Sequence, residues 1–168
     1  MELNEAIRTR QSIRKYVVGA EIPDEHVKMM LEAAMMAPSA CNSRPWRFVV
    51  VRSPEMKEKL ATVHPFCGHL REATLAIVVS GLPETQRRVA KGFWPQDCAA
   101  ATENILLQAR ALGYGTCWCG VYPREDRSEA VRQLLDTEGV PFCVITVGVP
   151  AETPVVRGFY DEERVDYR

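Results

Sequence analysis

The sequence predicts a mixed α/β domain, in which helices alternate with a small number of buried strands. Short apolar runs at Arg47–Val51, Leu75–Ser80 and Phe142–Val149 are typical of buried strands. Longer segments between them carry apolar residues at helical spacing. The 168 residues suit one domain, and they contain no repeat, low-complexity tract or internal linker. Alternation of this kind is typical of mixed α/β proteins.

The first half of the chain contains start and stop signals for each predicted element. Residues 2–9 form a short amphipathic helix, and an extended Arg/Ser segment follows it. Asp24 is the predicted N-cap of the next helix, which ends before Pro38. After the strand at 47–51, Ser53 is the predicted N-cap of a helix with Pro54 at its first position.

The second half is dominated by a long helix, predicted over 95–112 and ended by Gly113. Its sequence is apolar around most of its circumference, which indicates burial in a core or an interface. The remaining predicted elements are a strand or strand-like loop over Thr116–Val121, a helix over 126–136 and the strand Phe142–Val149. The charged tail, residues 150–168, has spaced apolar side chains and is either disordered or wrapped around a second subunit.

Composition excludes several classes of function. The net charge is −1, so nothing in the sequence predicts a nucleic-acid partner. The longest apolar runs are too short to span a bilayer, so no membrane partner is predicted. The N-terminus, Met-Glu-Leu-Asn-Glu, lacks the apolar region of a signal peptide. A cytoplasmic location is the expectation.

The six cysteines are expected to be free thiols, because no secretion signal points to a disulfide framework. Cys117-x-Cys119 lacks the Cys-x-x-Cys spacing of redox motifs and zinc ribbons, and none of the three histidines has metal-ligand spacing to it. No metal site is predicted, and buried or half-buried free cysteine is the favoured interpretation.

The most informative segment is Arg8–Tyr16. In an extended chain Arg10, Ser12 and Arg14 point to the same side. Two guanidinium groups around a hydroxyl suit a phosphate and its neighbouring oxygens. The alternative is a solvated basic face, since Arg8 and Lys15 lie beside them.

A second candidate segment follows the predicted helix that ends before Pro38. Small residues at Ser39 and Ala40 let the backbone approach a flat ring, and Asn42 offers a donor and an acceptor for a ring edge. A plain turn with a capping Asn is the alternative. The complete string from Ala37 through Pro45-Trp46 leads directly into a buried strand. It is a more specific signal for a binding site than the small residues or Asn42 alone.

Further candidates are weaker, and the motifs of common enzymes are missing. The sequence has no dinucleotide fingerprint, Walker loop, Gly-x-Ser-x-Gly or His-Glu-x-x-His. Thr116–Gly120 could face a flat cofactor or be a core strand with Trp118 packed, and Asp97 is interpreted as a structural partner. Arg157 is a surface charge or a phosphate contact. An enzyme without an evident acid, base or nucleophile often relies on a cofactor.

Taken together, these motifs resemble the FMN-dependent nitroreductase family over nearly the entire chain. The resemblance rests on Arg-x-Ser-x-Arg-x-Tyr near the N-terminus, Ala-Pro-Ser-Ala-x-Asn-x-x-Pro-Trp at 37–46, Trp94-x-x-Asp97 before an Ala-rich helix, Leu112-Gly113-x-Gly115-Thr116 and Val-Gly-Val-Pro at 147–150. It implies an α+β fold with a central, mostly antiparallel sheet flanked by helices. It also implies an intertwined homodimer with two interfacial FMN sites, the tail at 150–168 wrapping the partner subunit.

The resemblance also implies a set of FMN-binding residues. Arg10 holds the phosphate with help from Ser12, and Arg14 lies at the pyrimidine edge, where it stabilises negative charge. The other subunit supplies the second segment. Two departures, Gln11 in place of a common basic residue and Phe159 in place of a common tail Arg, place more of the phosphate binding on Arg10 and Arg157. The full implied set is Arg10, Gln11, Ser12, Arg14, Pro38, Ser39, Ala40, Asn42, Cys119, Gly120 and Arg157.

The implied activity is electron transfer from NADH or NADPH to a nitroaromatic, quinone or similar flat acceptor by a ping-pong mechanism. No residue of the protein is required to act as a general base. The alternatives are another flavin reaction on the same scaffold, such as reductive dehalogenation or flavin fragmentation, and a non-catalytic flavin-binding redox sensor that uses Cys117 and Cys119. The chain lacks the insertions of longer members, so its substrate is less defined than its cofactor.

Overall fold

A computed structural model of the protein describes all 168 residues and has a four-stranded antiparallel sheet at its centre. The strand order along the sheet is β1-β2-β4-β3. Every residue of β2 is buried, because helices cover both faces of the sheet, and this explains the uninterrupted apolar run over Leu75–Val79. The strands are β1 (Trp46–Val51), β2 (Leu75–Gly81), β3 (Gly115–Gly120) and β4 (Val140–Gly148).

Five α-helices surround the sheet, and they match the predicted order. They are α1 (Leu3–Thr9), α2 (Asp24–Met35), α3 (Pro54–Val63), α4 (Trp94–Ala111) and α5 (Glu125–Leu135). Short 3₁₀ helices lie at Ala40–Asn42, Gly68–Arg71, Pro83–Thr85, Arg88–Ala90 and Glu162–Arg164. None of the helices combines the length and the apolar composition needed to cross a membrane.

Side chains that alternate along each strand divide the core into two layers. Ile77 and Val79 of β2 point to the layer formed with α2 and α4. Val78 points to the opposite layer, where it is joined by Leu60 of α3 and Val131 of α5. The predicted burial of the long helix is correct: Gln96 is its only fully exposed residue.

The segment after α1 is extended, as predicted, and it docks at the β3 end of the sheet. Ser12 forms a parallel bridge with Thr116, and Tyr16 forms an antiparallel bridge with Pro150. A Cβ atom on Gly115 would lie 2.8 Å from the Ile13 side chain, so glycine at this position permits the close approach. The start of the chain and the start of the tail therefore meet at one edge of the molecule.

The predicted cap of α2 is wrong. Pro23 occupies the N-cap position and Asp24 is the first helical residue, with no side-chain capping bond. The Asp24 carboxylate instead accepts a hydrogen bond of 2.7 Å from Arg52 Nη2. The prediction at α3 is confirmed, since the Ser53 hydroxyl accepts from the backbone N–H of Met56.

Candidate functional site

Five of the predicted binding residues line one surface groove beside α1. The extended segment supplies four of them, and the tail closes the opposite wall with Pro154 and Arg157. We call this the cationic groove, and the predicted residues that line it are Arg10, Gln11, Ser12, Arg14 and Arg157. Residues distant in sequence thus share one surface.

The cationic groove carries an excess of positive charge. Arg8, Arg14 and Arg157 form no salt bridge within the chain. Arg10 pairs with Glu103 of α4 at 3.4 Å between Nε and Oε1, and both side chains are partly exposed, so the pair is weak. Uncompensated guanidinium groups beside the Ser12 hydroxyl fit a phosphate better than a neutral ligand.

Glu152 fixes the backbone of the extended segment, and sequence reasoning missed it. Its Oε1 accepts hydrogen bonds from the backbone N–H of Arg14 at 2.6 Å and of Lys15 at 3.1 Å. The neighbouring backbone N–H of Ala151 donates to the Lys15 carbonyl. These bonds hold the start of the tail against the segment that carries the arginines.

A second groove adjoins the first and shares Arg14 with it. Cys119 and Gly120, both predicted binding residues, line it together with Phe66 and Arg127. Trp118 is half-buried and packs edge-on against Phe142 at 5.7 Å between ring centroids, in agreement with the structural interpretation of that side chain. The end of β3 therefore lines this second groove with Cys117, Trp118, Cys119 and Gly120.

His64 holds the Gly120 end of β3 in place. Its Nε2 lies 2.7 Å from the Gly120 carbonyl, and its Nδ1 accepts from the backbone N–H of Phe66 at 3.2 Å. These partners assign a neutral ring with the proton on Nε2, since a protonated Nδ1 could not accept. Burial of the ring lowers the pKa of His64 below its ordinary value of 6.5.

We expect His64 to make the fold sensitive to acid. Because its folded pKa is depressed, the unfolded chain binds the additional proton first as pH falls below 6.5, so stability falls with pH in that range. Urea unfolding between about pH 7.5 and about pH 5.5 should show a decrease in the free energy of unfolding that is smaller in His64→Gln. An identical decrease in that variant would contradict the assignment.

A thiol–imidazole group lies against the second groove, and spacing along the sequence did not reveal it. The Sγ atom of Cys119 lies 3.7 Å from Nε2 of His69, a residue near the middle of the chain. A hydrogen bond with Cys119, together with burial, raises the pKa of Cys117 to about 12. The Cys117 thiol lowers the pKa of Cys119, but Cys67 and burial outweigh it and raise that pKa to about 12.

The second predicted segment lies outside both grooves of the same chain. Pro38, Ser39, Ala40 and Asn42 form a loop between α2 and β1 that packs at the start of α4. Three residues of this loop have positive φ without being glycine: Cys41 (53°), Asn42 (51°) and Arg44 (50°). Such a conformation costs free energy and requires surroundings that enforce it.

Asp97 enforces the loop conformation from the first turn of α4. This buried carboxylate accepts a hydrogen bond of 2.9 Å from the backbone N–H of Ala40, and its second oxygen lies 3.4 Å from the Gln86 amide. The Ser39 hydroxyl adds a bond to the backbone N–H of Arg44. The interpretation of Asp97 as a satisfied structural partner is therefore confirmed.

Asp97→Ala should destabilise the fold by about 1.5–3 kcal/mol, the range for losing a hydrogen bond to a charged group. Thermal or urea unfolding measures the change. Gln96→Ala is the matched control, because Gln96 is an exposed neighbour on α4, and its effect should stay within about 0.5 kcal/mol. Equal stability of the two variants would show that Asp97 does not support the loop.

The antiparallel sheet, the helices on both its faces and the cationic groove at its edge define a class of α+β proteins. Within that class, the model of the Nitroreductase family matches residues 7–64 and 64–149. The chain belongs to the nitroreductase family. The predicted α+β fold with a mostly antiparallel sheet is confirmed.

Relatives of known sequence and structure agree with this assignment. A protein of Methanothermobacter thermautotrophicus, provisionally named NADH dehydrogenase/NAD(P)H nitroreductase, is 46% identical over 98% of this chain and 86% of its own length. The FMN-dependent nitroreductase of Clostridium difficile superposes with a TM-score of 0.88 at 28% identity, covering 98% of both chains. A provisionally named nitroreductase of Desulfovibrio desulfuricans, solved in complex with FMN, has a TM-score of 0.83 at 28% identity over 100% of this chain and 97% of its own.

Proposed function

We propose that the protein is an FMN-dependent oxidoreductase that takes electrons from NADH or NADPH and passes them to a flat small-molecule acceptor. The observation that carries the proposal is the pair of grooves joined at Arg14: one is cationic, and the other is lined by the end of β3. The first suits the phosphate of FMN and the second suits its ring. Family membership and the FMN complex of the Desulfovibrio protein support the same cofactor.

In this proposal each groove residue has a defined task. Arg10 and Arg157 bind the phosphate, and Ser12 and Gln11 add hydrogen bonds beside them. Arg14, at the junction of the grooves, places its charge at the pyrimidine edge of the ring. The backbone of Cys119 and Gly120 faces the ring, held in position by His64.

FMN supplies the chemistry when it is bound, by accepting a hydride from the nicotinamide and later giving up electrons. The protein needs only to bind, orient and stabilise negative charge, which agrees with the absence of the common catalytic motifs from the sequence. The nicotinamide and a nitroaromatic or quinone acceptor would occupy the same face in turn. Initial-velocity measurements should therefore give the parallel lines of a ping-pong mechanism.

We further propose that the site is shared between two copies of the chain. Pro38, Ser39, Ala40 and Asn42 lie away from both grooves of their own subunit, so a second copy would supply them. Support comes from apolar side chains left exposed on one chain, including Phe159 and Tyr160 of the tail. A shallow apolar trough between α1, α2 and α4 also supports a surface that a second copy of the chain would cover.

The decisive experiment is the absorption spectrum of the purified protein. We expect a yellow protein whose acid-released flavin is identified as FMN and that oxidises NADH or NADPH when a nitroaromatic is added. A colourless protein that takes up no FMN on titration would refute the proposal. Bound FMN without steady turnover would favour the redox-sensor alternative.

A further inference from the structure

One cluster of side chains has no role in the proposed function beyond the backbone contact assigned to Cys119. Two short segments each offer two metal-ligating residues, Cys67-x-His69 before β2 and Cys117-x-Cys119 on β3. Residues two apart on a strand point to the same face, so the thiols of β3 lie side by side. His69 completes a cluster of three donors, which we call the Cys₂His cluster: His69, Cys117 and Cys119.

The spacing of these donor atoms already fits metal ligation. The nitrogen and the two sulfur atoms all lie within 4.8 Å of one another, and Cys119 Sγ is 3.7 Å from His69 Nε2. Tetrahedral zinc, with bonds of about 2.3 Å to sulfur and 2.0–2.1 Å to nitrogen, separates its ligand atoms by about 3.6–3.8 Å. Small side-chain rotations would therefore bring all three donors onto one ion.

The surroundings hold the Cys₂His cluster in this arrangement. The Tyr16 ring stacks on His69 at 6.3 Å between centroids, and the Tyr16 hydroxyl is anchored to Thr146 and the Ile13 carbonyl. The backbone of His69 accepts hydrogen bonds that end the 3₁₀ helix. Both cysteines are buried, and Cys117 and Cys119 also line the second groove, which gives an ion a route from solvent.

We infer that His69, Cys117 and Cys119 form a binding site for a thiophilic metal ion, Zn²⁺. Two thiolates and an imidazole are borderline-soft ligands that select zinc over the hard ions Mg²⁺ and Ca²⁺. Binding forms two Zn–S bonds and one Zn–N bond, and each thiol releases a proton to solvent. The two thiolates neutralise the dication, so the buried site has no net charge despite Arg14 and Arg127 along the groove.

A thiol or a water molecule could supply the fourth ligand. Cys67, two residues before His69, is fully buried, and the second groove opens to water. Sites with three protein ligands and one open position are typical of zinc that meets a small molecule. The ion would then lie directly beside the surface assigned to the flavin ring, although the inference does not depend on that assignment.

Cobalt substitution of the purified, reduced protein tests the inference, since Co²⁺ reports ligand type and geometry in its spectrum. The measurements use a Cys41→Ser background, because Cys41 is an exposed thiol that could bind metal on its own. We expect one Co²⁺ per chain with sulfur-to-cobalt charge transfer and intense tetrahedral d–d bands, which lie beyond the bands of oxidised flavin. Zn²⁺ should displace the cobalt.

His69→Ala and Cys117→Ser should each abolish these bands. Cys98→Ser is the matched control, because Cys98 is equally buried but belongs to the layer on the other face of the sheet, and it should retain them. Weak octahedral-type absorption in the parent protein would overturn the inference without reference to any variant. Bands that survive both substitutions, or that disappear equally in Cys98→Ser, would also overturn it.

Discussion

Arg10→Ala should weaken FMN binding by about 10- to 150-fold, which corresponds to the loss of a charge-assisted hydrogen bond worth about 1.5–3 kcal/mol. Arg10 lies in the cationic groove with Ser12 and Arg157, where no carboxylate except that of Glu103 reaches it. Fluorescence titration of the apoprotein measures the change. Riboflavin, which lacks the phosphate, should bind the variant and the parent protein equally.

Glu103→Gln separates a ligand-binding role for Arg10 from a structural one. Both substitutions remove the Arg10–Glu103 ion pair, but Glu103→Gln leaves the guanidinium free to meet the phosphate. FMN affinity should therefore be unchanged or higher in Glu103→Gln. A parallel loss in both variants, or an equal loss for riboflavin, would show that Arg10 acts through the fold and not through the phosphate.

Replacing Phe159 and Tyr160 together with Ser should dissociate the proposed dimer and release FMN at the same time. These side chains are 81% and 70% exposed on a single chain, an arrangement that is unfavourable unless another surface covers them. Burying an aromatic side chain is worth about 1.5–3 kcal/mol, and a dimer would bury two from each chain. We expect a rise of more than a hundredfold in the dimer dissociation constant by analytical ultracentrifugation.

Val18→Ser is the control for this experiment, because Val18 is a similarly exposed apolar residue in the turn after the extended segment. It should change neither assembly nor FMN binding. The shared-site geometry also makes a coupling prediction: added FMN should restore dimer to the tail variant by mass action. A parent protein that is monomeric with full FMN occupancy would exclude the shared site.

The strands and the long helix could be predicted because local signals and burial agree in them. Leu75–Val79 is apolar without interruption because both faces of β2 are covered, and Pro95 with Gly113 brackets α4. Asp24 shows where local reasoning fails. The Asp24 carboxylate could cap α2 or pair with Arg52, and the structure shows the pair. Arg52 lies 28 positions away, so no local sequence pattern contains it.

The residues of the candidate site likewise include some that a local sequence pattern predicts and some that it does not. Arg10, Ser12 and Arg14 alternate along one extended segment, so their common direction was visible in the sequence. Glu152 and His69 were missed because each acts through a contact made only after the chain folds: Glu152 on a backbone 138 residues away, His69 on the thiol of Cys119, 50 residues away. The roles assigned to Pro38, Ser39, Ala40 and Asn42 depend on a second copy of the chain and stay predictions.

The contacts between residues 12–16 and residues 150–152 at the β3 edge mean that the groove is closed by residues that follow the sheet in the sequence. All four strands have been translated once Gly148 is made, yet the bonds from Glu152 to the Arg14 and Lys15 backbone still await the final residues. A chain truncated after Gly148 would keep every strand but would lose the Glu152 bonds and the tail wall of the cationic groove, which Pro154 and Arg157 supply. We therefore expect such a truncated chain to bind FMN more weakly than the 168-residue chain.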